Sequence, residues 1–250
     1  MSTSSSSSSS VSPSSREADE LEDQKNGNKY LTDIISASSL EFPELLQVRI
    51  QSKAETLANP SSIGIVSLSI ASLMLSFSHL EVTSDYYSHQ IPWLLFLCGI
   101  GMLITGCVEA FKNNTFGMVV NIMYCTFFLS LGFQMYFEGI SPADALDGAL
   151  PHAGCAVLGY AIFNLTPLII AGSLNKVLGL LFFAIEFFLF FLFLEFIEVI
   201  DHKKISGVFL FLVSVIGFYY CFADLMNWVA GVEFIKLGKG FWDLKKWIKK

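Results

Sequence analysis

The stretch Glu109-Ala110-Phe111-Lys112-Asn113-Asn114-Thr115-Phe116-Gly117 is a short polar hinge between two apolar blocks, each long enough to cross a bilayer. A soluble core has no use for so brief a polar break between blocks of that length. Here it marks where the chain reaches one membrane face and turns straight back. A hydrocarbon core about 30 Å thick takes about 20 apolar residues as a helix. On that scale the sequence predicts six spans, near 63–79, 92–111, 115–137, 151–172, 177–199 and 205–228. Barrel strands would alternate apolar and polar residues, and these blocks do not. The expected fold is all-α: a polytopic membrane protein with six transmembrane helices.

Composition agrees. A mean hydropathy of +0.58, with 53% hydrophobic and 14% aromatic residues, is too apolar for a soluble domain of this size. The formal charge of −7 mostly records an acidic N-terminal tail, and the basic patch that nucleic-acid binding needs is missing. Residues 1–57 form that tail, with a serine run and then Glu17, Asp19, Glu20, Glu22 and Asp23. It has too little apolar surface to offset the cost of chain ordering. Apolar residues recur near 40–57, where a short interfacial helix is expected. Residues 58–230 form the six-helix transmembrane domain and 231–250 a basic amphipathic tail, read as a helix on an anionic leaflet through Phe241, Trp242, Leu244, Trp247 and Ile248. The five cysteines sit in or beside apolar blocks without disulfide or zinc spacing.

Lysine placement sets the orientation. Lys112, Lys176 and the tail lysines fall on one side, and the 1–2 and 3–4 loops contain no Lys or Arg. Both termini are therefore expected in the cytoplasm, with Lys203 and Lys204 against the trend. The plasma membrane is the expected location. The sequons at Asn113 and Asn164 are set aside as glycan acceptors, one facing inward and the other within a span.

Several residues invite chemistry. Pro60 fits the first turn of a helix and Asn59 can cap it, leaving N–H groups and a partial positive charge that attract a carboxylate. Asn114 and Thr115 open the third helix in the same way, with Thr115 able to cap. Glu109 can receive those N–H groups and so fix the hinge. Tyr124 places a hydroxyl in mid-span, where it needs a partner. Glu186 lies about ten residues into the fifth span; a charge there is costly, so it must be protonated, paired or facing water. Two readings stay open for it, a pore or proton-coupling role and an interhelical hydrogen bond.

Three pieces resemble the acetate uptake transporter family of bacterial succinate–acetate permeases and fungal acetate transporters. Asn59-Pro60-Ser61-Ser62-Ile63-Gly64-Ile65 is similar to N-P-A-P-L-G-L. Glu109 with Asn114-Thr115-Phe116-Gly117 and Tyr124 is similar to E-x4-N-T-F-G-x6-Y. Ser206-Gly207, Tyr219, Asp224 and Asn227 are similar to the last helix. Ser62 replaces the second proline, Val119 to Met123 replace small residues, Cys125 replaces a glycine and Met102 a glutamine. The resemblance implies a substrate path past Asn59 and Pro60, a constriction at Leu68, Tyr124 and Ile185, and a homohexamer with one pore per subunit.

The expected function is transmembrane transport of small carboxylates, acetate and then succinate, by proton-coupled symport or a channel. No cofactor, metal or enzymatic chemistry is expected, since no nucleophile–base pair can be assembled at the span ends. Two alternatives stand beside it: export of ammonium or ammonia, and a membrane protein that keeps the fold without transport.

Overall fold

The computed structural model describes residues 59–83, 87–140, 149–199, 203–244 and 246. The N-terminal tail with its expected helix near 40–57, and Trp247 and Ile248, lie outside them. The helices are α1 (Ser61–His79), α2 (Tyr87–Pro92), a π-helical stretch (Trp93–Ile100), α3 (Gly101–Phe111), α4 (Thr115–Ile140), α5 (Ala149–Leu174), α6 (Lys176–Phe196) and α7 (Lys203–Ala230). The second crossing is α2, the π stretch and α3 taken together. Six crossings result, and each end falls within three residues of its sequence expectation. With apolar side chains on most sides, these segments satisfy their backbone internally, as the hydrocarbon demands.

Packing between helices rests on small residues. Water gives little drive to helix association inside a bilayer, so close backbone approach has to supply the contact. On α1 the buried positions include Ser62, Gly64, Ser69, Ala71 and Ser72; on α7 they include Ser206, Gly207, Ser214, Gly217 and Ala223. These two faces form the seam between the helices. Some of the serine hydroxyls turn back to their own helix: Ser69 Oγ donates to Ile65 O at 2.7 Å and Ser76 Oγ to Leu73 O at 2.7 Å, while the buried hydroxyls of Ser72 and Ser214 have no partner. The helices α5 and α6 pack along one another, as do α6 and α7, while the backbones of α4 and α5 stay apart and meet through side chains.

The far ends of α1, α6 and α7 meet through His79, whose Nδ1 lies 2.8 Å from Ser206 Oγ, and Ser206 Oγ donates to Glu195 at 3.3 Å. Lys204, one of the two lysines against the charge trend, pairs with Glu81 at 2.7 Å.

The first part of the tail differs from its expected form, while Leu244 and Lys246 are helical. Residues 231–243 carry no helix. They run as a strap across the α5–α6 junction, with Asn227 and Ile235 exchanging two hydrogen bonds of 2.7 and 2.8 Å. Lys176 N–H bonds Gly238 O and Val177 N–H bonds Leu237 O, both at 3.3 Å. Phe241 N–H reaches Gly172 O at 2.7 Å, and Trp242 Nε1 donates to Ile169 O at 2.9 Å. Gly172 and Gly179 make this possible, because a methyl group on either would run into the Trp242 or Phe241 ring. The apolar tail residues thus find a protein groove where the sequence pattern pointed to lipid.

Gly217→Val should force α7 away from α1, since a Cβ there meets the Ser69 hydroxyl. The expected loss is about 1–3 kcal/mol, read as a lowered melting temperature in detergent. Gly159→Ala, which meets nothing within 4 Å, should leave it unchanged.

Candidate functional site

The hinge builds one end of the site. Asn113 adopts a positive φ of 55°, which asparagine tolerates better than most residues. Asn114 N–H bonds Glu109 O at 3.0 Å and Asn113 N–H bonds Ala110 O at 3.1 Å, a Schellman closure of α3. The same Asn114 opens α4: its Oδ1 accepts from Gly117 N–H at 3.1 Å. Asn114 is therefore the cap, and Thr115, expected to be able to cap, is exposed.

Glu109 is 1% exposed, and its carboxylate takes side chains in place of the backbone donors expected for it. Ser61 Oγ donates to it at 2.6 Å and Asn114 Nδ2 at 2.8 Å, so one carboxylate clamps the start of α1 to the hinge. At the start of α1, Asn59 Oδ1 accepts from Ser61 N–H at 3.2 Å, and the buried Pro60 offers its carbonyl to Ile63 and Gly64. The N–H groups of Ser61, Ile63 and Gly64 are thus already bonded within the protein. Ser62, which stands in place of a proline in the motif, donates to Asp224 at 2.5 Å and ties α1 to α7.

Between these clamps lies a cavity of about 160 Å³. Its walls include Ser61, Gly64 and Leu68 of α1, Asn114, Asn121 and Tyr124 of α4, Phe182 of α6 and Tyr220 of α7. Leu68, Tyr124 and Phe182 share its wall, with the Phe182 ring centre 6.3 Å from that of Tyr124. Ile185 is instead packed in the core, 2% exposed and not part of the wall. Phe182, one turn earlier, takes the lining place. A second recess of about 80 Å³, between α4, α5 and α6, is lined by residues including Phe127, Gln134, Tyr160 and Phe196.

Behind Tyr124 runs a buried polar chain. The Tyr124 hydroxyl donates to Asn164 Oδ1, and Asn164 Nδ2 donates to Glu186 Oε2 at 2.8 Å and to the Phe182 carbonyl at 3.1 Å. Tyr124 has the partner its position demands, and Glu186 makes an interhelical bond. Asn164 was missed from sequence, where only its sequon was weighed. A fully buried amide in mid-span was the available signal.

An all-helical membrane bundle of six crossings that encloses a cavity is the class this structure defines. The profile of the GPR1/FUN34/yaaH family matches residues 43–235, and the chain belongs to that family, the acetate transporter family its motifs resemble. Among solved structures, the fold is similar to the bacterial acetate channel SatP, with a TM-score of 0.65 and 20% identity over 73% of this chain and all of that one. Among curated proteins, no sequence matches significantly.

Asn164→Leu should strand the Tyr124 hydroxyl and the Glu186 carboxyl together. A loss of about 1–3 kcal/mol is expected, seen as a lower melting temperature in detergent. A melting temperature equal to wild type would show that the chain holds nothing together.

Proposed function

We propose that this protein carries small carboxylates across a membrane, acetate first and succinate as a larger second substrate, through the cavity lined by Leu68, Tyr124 and Phe182. The observation that carries the reading is a cavity of about 160 Å³ whose wall sets the Tyr124 ring among apolar side chains. The cavity volume equals the liquid share of roughly five water molecules, enough for a two-carbon acid. A tight, mostly apolar ring resists hydrated ions by dewetting yet admits a compact acid when it opens. Family membership and the acetate channel named among similar structures support the substrate class.

In this reading Asn59, Pro60, Asn114 and Thr115 shape the mouth, Glu109 holds it together, and Leu68 and Tyr124 gate the path. Ile185 backs the gate from the core. Glu186, joined to Tyr124 through Asn164, couples passage to a proton. The proposal includes cytoplasmic termini, the plasma membrane and a homohexamer. Exposed Phe183 and Phe190 on α6 give a surface that suits a neighbouring subunit or lipid.

Labelled acetate uptake into proteoliposomes tests this. Wild type should exceed protein-free vesicles, and Leu68→Trp, which fills part of the cavity, should return uptake to the protein-free level. Folded wild-type protein without acetate uptake would refute the reading.

A further inference from the structure

The polar group of the layer formed by Leu68, Tyr124 and Phe182 in the cavity wall is a hydrogen-bond acceptor whose direction the protein sets. Asn164, fully buried in α5, turns its amide nitrogen toward two oxygens, the Phe182 carbonyl at 3.1 Å and Glu186 Oε2 at 2.8 Å. A backbone carbonyl can only accept, so the nitrogen must face it and Oδ1 must face Tyr124. Oδ1 has no hydrogen to give, so the Tyr124 hydroxyl spends its hydrogen there. A molecule reaching that hydroxyl from the cavity meets oxygen lone pairs alone. Leu68 and Phe182, its neighbours in the layer, carry no polar side-chain atom.

The ionisable side chains bonded around the cavity are acidic. Glu109 of α3 and Asp224 of α7 sit at the start of α1, held by Ser61 and Ser62, and Glu186 of α6 lies beyond Asn164. Tyr220 of α7 is the other titratable side chain in the wall, which contains no Lys, Arg or His. At the mouth, Asn114 and Asn121 each spend one amide hydrogen on the protein and keep a second, so either form of an acid can be held there. Discrimination falls at the layer.

We propose that the species passing Tyr124 is the neutral acid, whose hydroxyl donates to the Tyr124 oxygen, and that the carboxylate anion is excluded. Asn164 is the positioning residue that sets this preference by holding the Tyr124 hydrogen. A carboxylate would bring acceptors against an acceptor, beside three acidic side chains and no basic one. This inference rests on the acetate-transport reading above.

The test is protein-dependent acetate flux in proteoliposomes, after subtracting the leak of protein-free vesicles. Total acetate is fixed while pH is raised, and in a second arm a potassium–valinomycin potential is imposed at one pH. Above the acid's pKa each pH unit removes about nine-tenths of the neutral form. The expected flux falls in that proportion and ignores the potential, since a neutral species carries no charge across. The potential arm is blind to titration of Glu109, Asp224 or Glu186. Tyr124→Phe, which deletes the acceptor, should lower flux about three- to tenfold without making it voltage-dependent. Wild-type flux that persists at high pH and follows the potential would overturn the neutral-acid proposal and leave acetate transport standing. No acetate flux at any pH, or flux of ammonium alone, would overturn both.

Discussion

Inside the hydrocarbon an unpaired polar group is costly, and the buried carboxylates and amides that join the helices of this structure answer that cost. Its buried polar side chains join helices far apart in the chain. Glu109 gathers Ser61 and Asn114, Ser62 holds Asp224, and Asn164 gathers Tyr124 and Glu186. Pulling such helices apart would expose each group to lipid, so the bonds set which helices are neighbours as well as how firmly they stay. The cavity exists because the clamps at its mouth and the chain at its base hold α1, α4, α6 and α7 around a space that side chains do not fill.

The small-residue seam between α1 and α7 complements these clamps. Ser69 and Gly217 let the backbones approach closely, while Ser62 and Asp224 lock the register of the two helices at one end. At that same end the strap takes the first N–H groups of α6 through Leu237 and Gly238. A helix start that would otherwise offer itself to an anion is closed by the protein's own chain. The starts of α1 and α4 are likewise bonded in part by Asn59, Pro60 and Asn114. The open polar chemistry of the cavity therefore shifts inward, to Tyr124.

Much of this was legible in the sequence. Span length and apolarity are local properties, so the six crossings and the Asn113–Asn114 hinge could be read directly. The need of Tyr124 for a partner was also evident, but not which residue met it. Asn164 lies 40 positions away, and only packing brings it there. Counting along the fifth span led to Ile185, whereas the phase at which α6 leaves its cap at Asn175 turns Phe182 to the cavity. The tail was the least legible element. Its aromatic and basic pattern suits a lipid surface, and the groove that receives Phe241 and Trp242 depends on glycines 60 or more residues earlier.

The central claim is that the cavity bounded by Leu68, Tyr124 and Phe182 is where a small carboxylic acid sits. A crystal structure of the protein soaked with 3-bromopropionate, whose bromine scatters anomalously, tests it most directly. The account predicts a bromine peak inside that cavity, lost in Leu68→Trp crystals. Bromine found only elsewhere, such as the recess beside Phe127 and Tyr160, would contradict it.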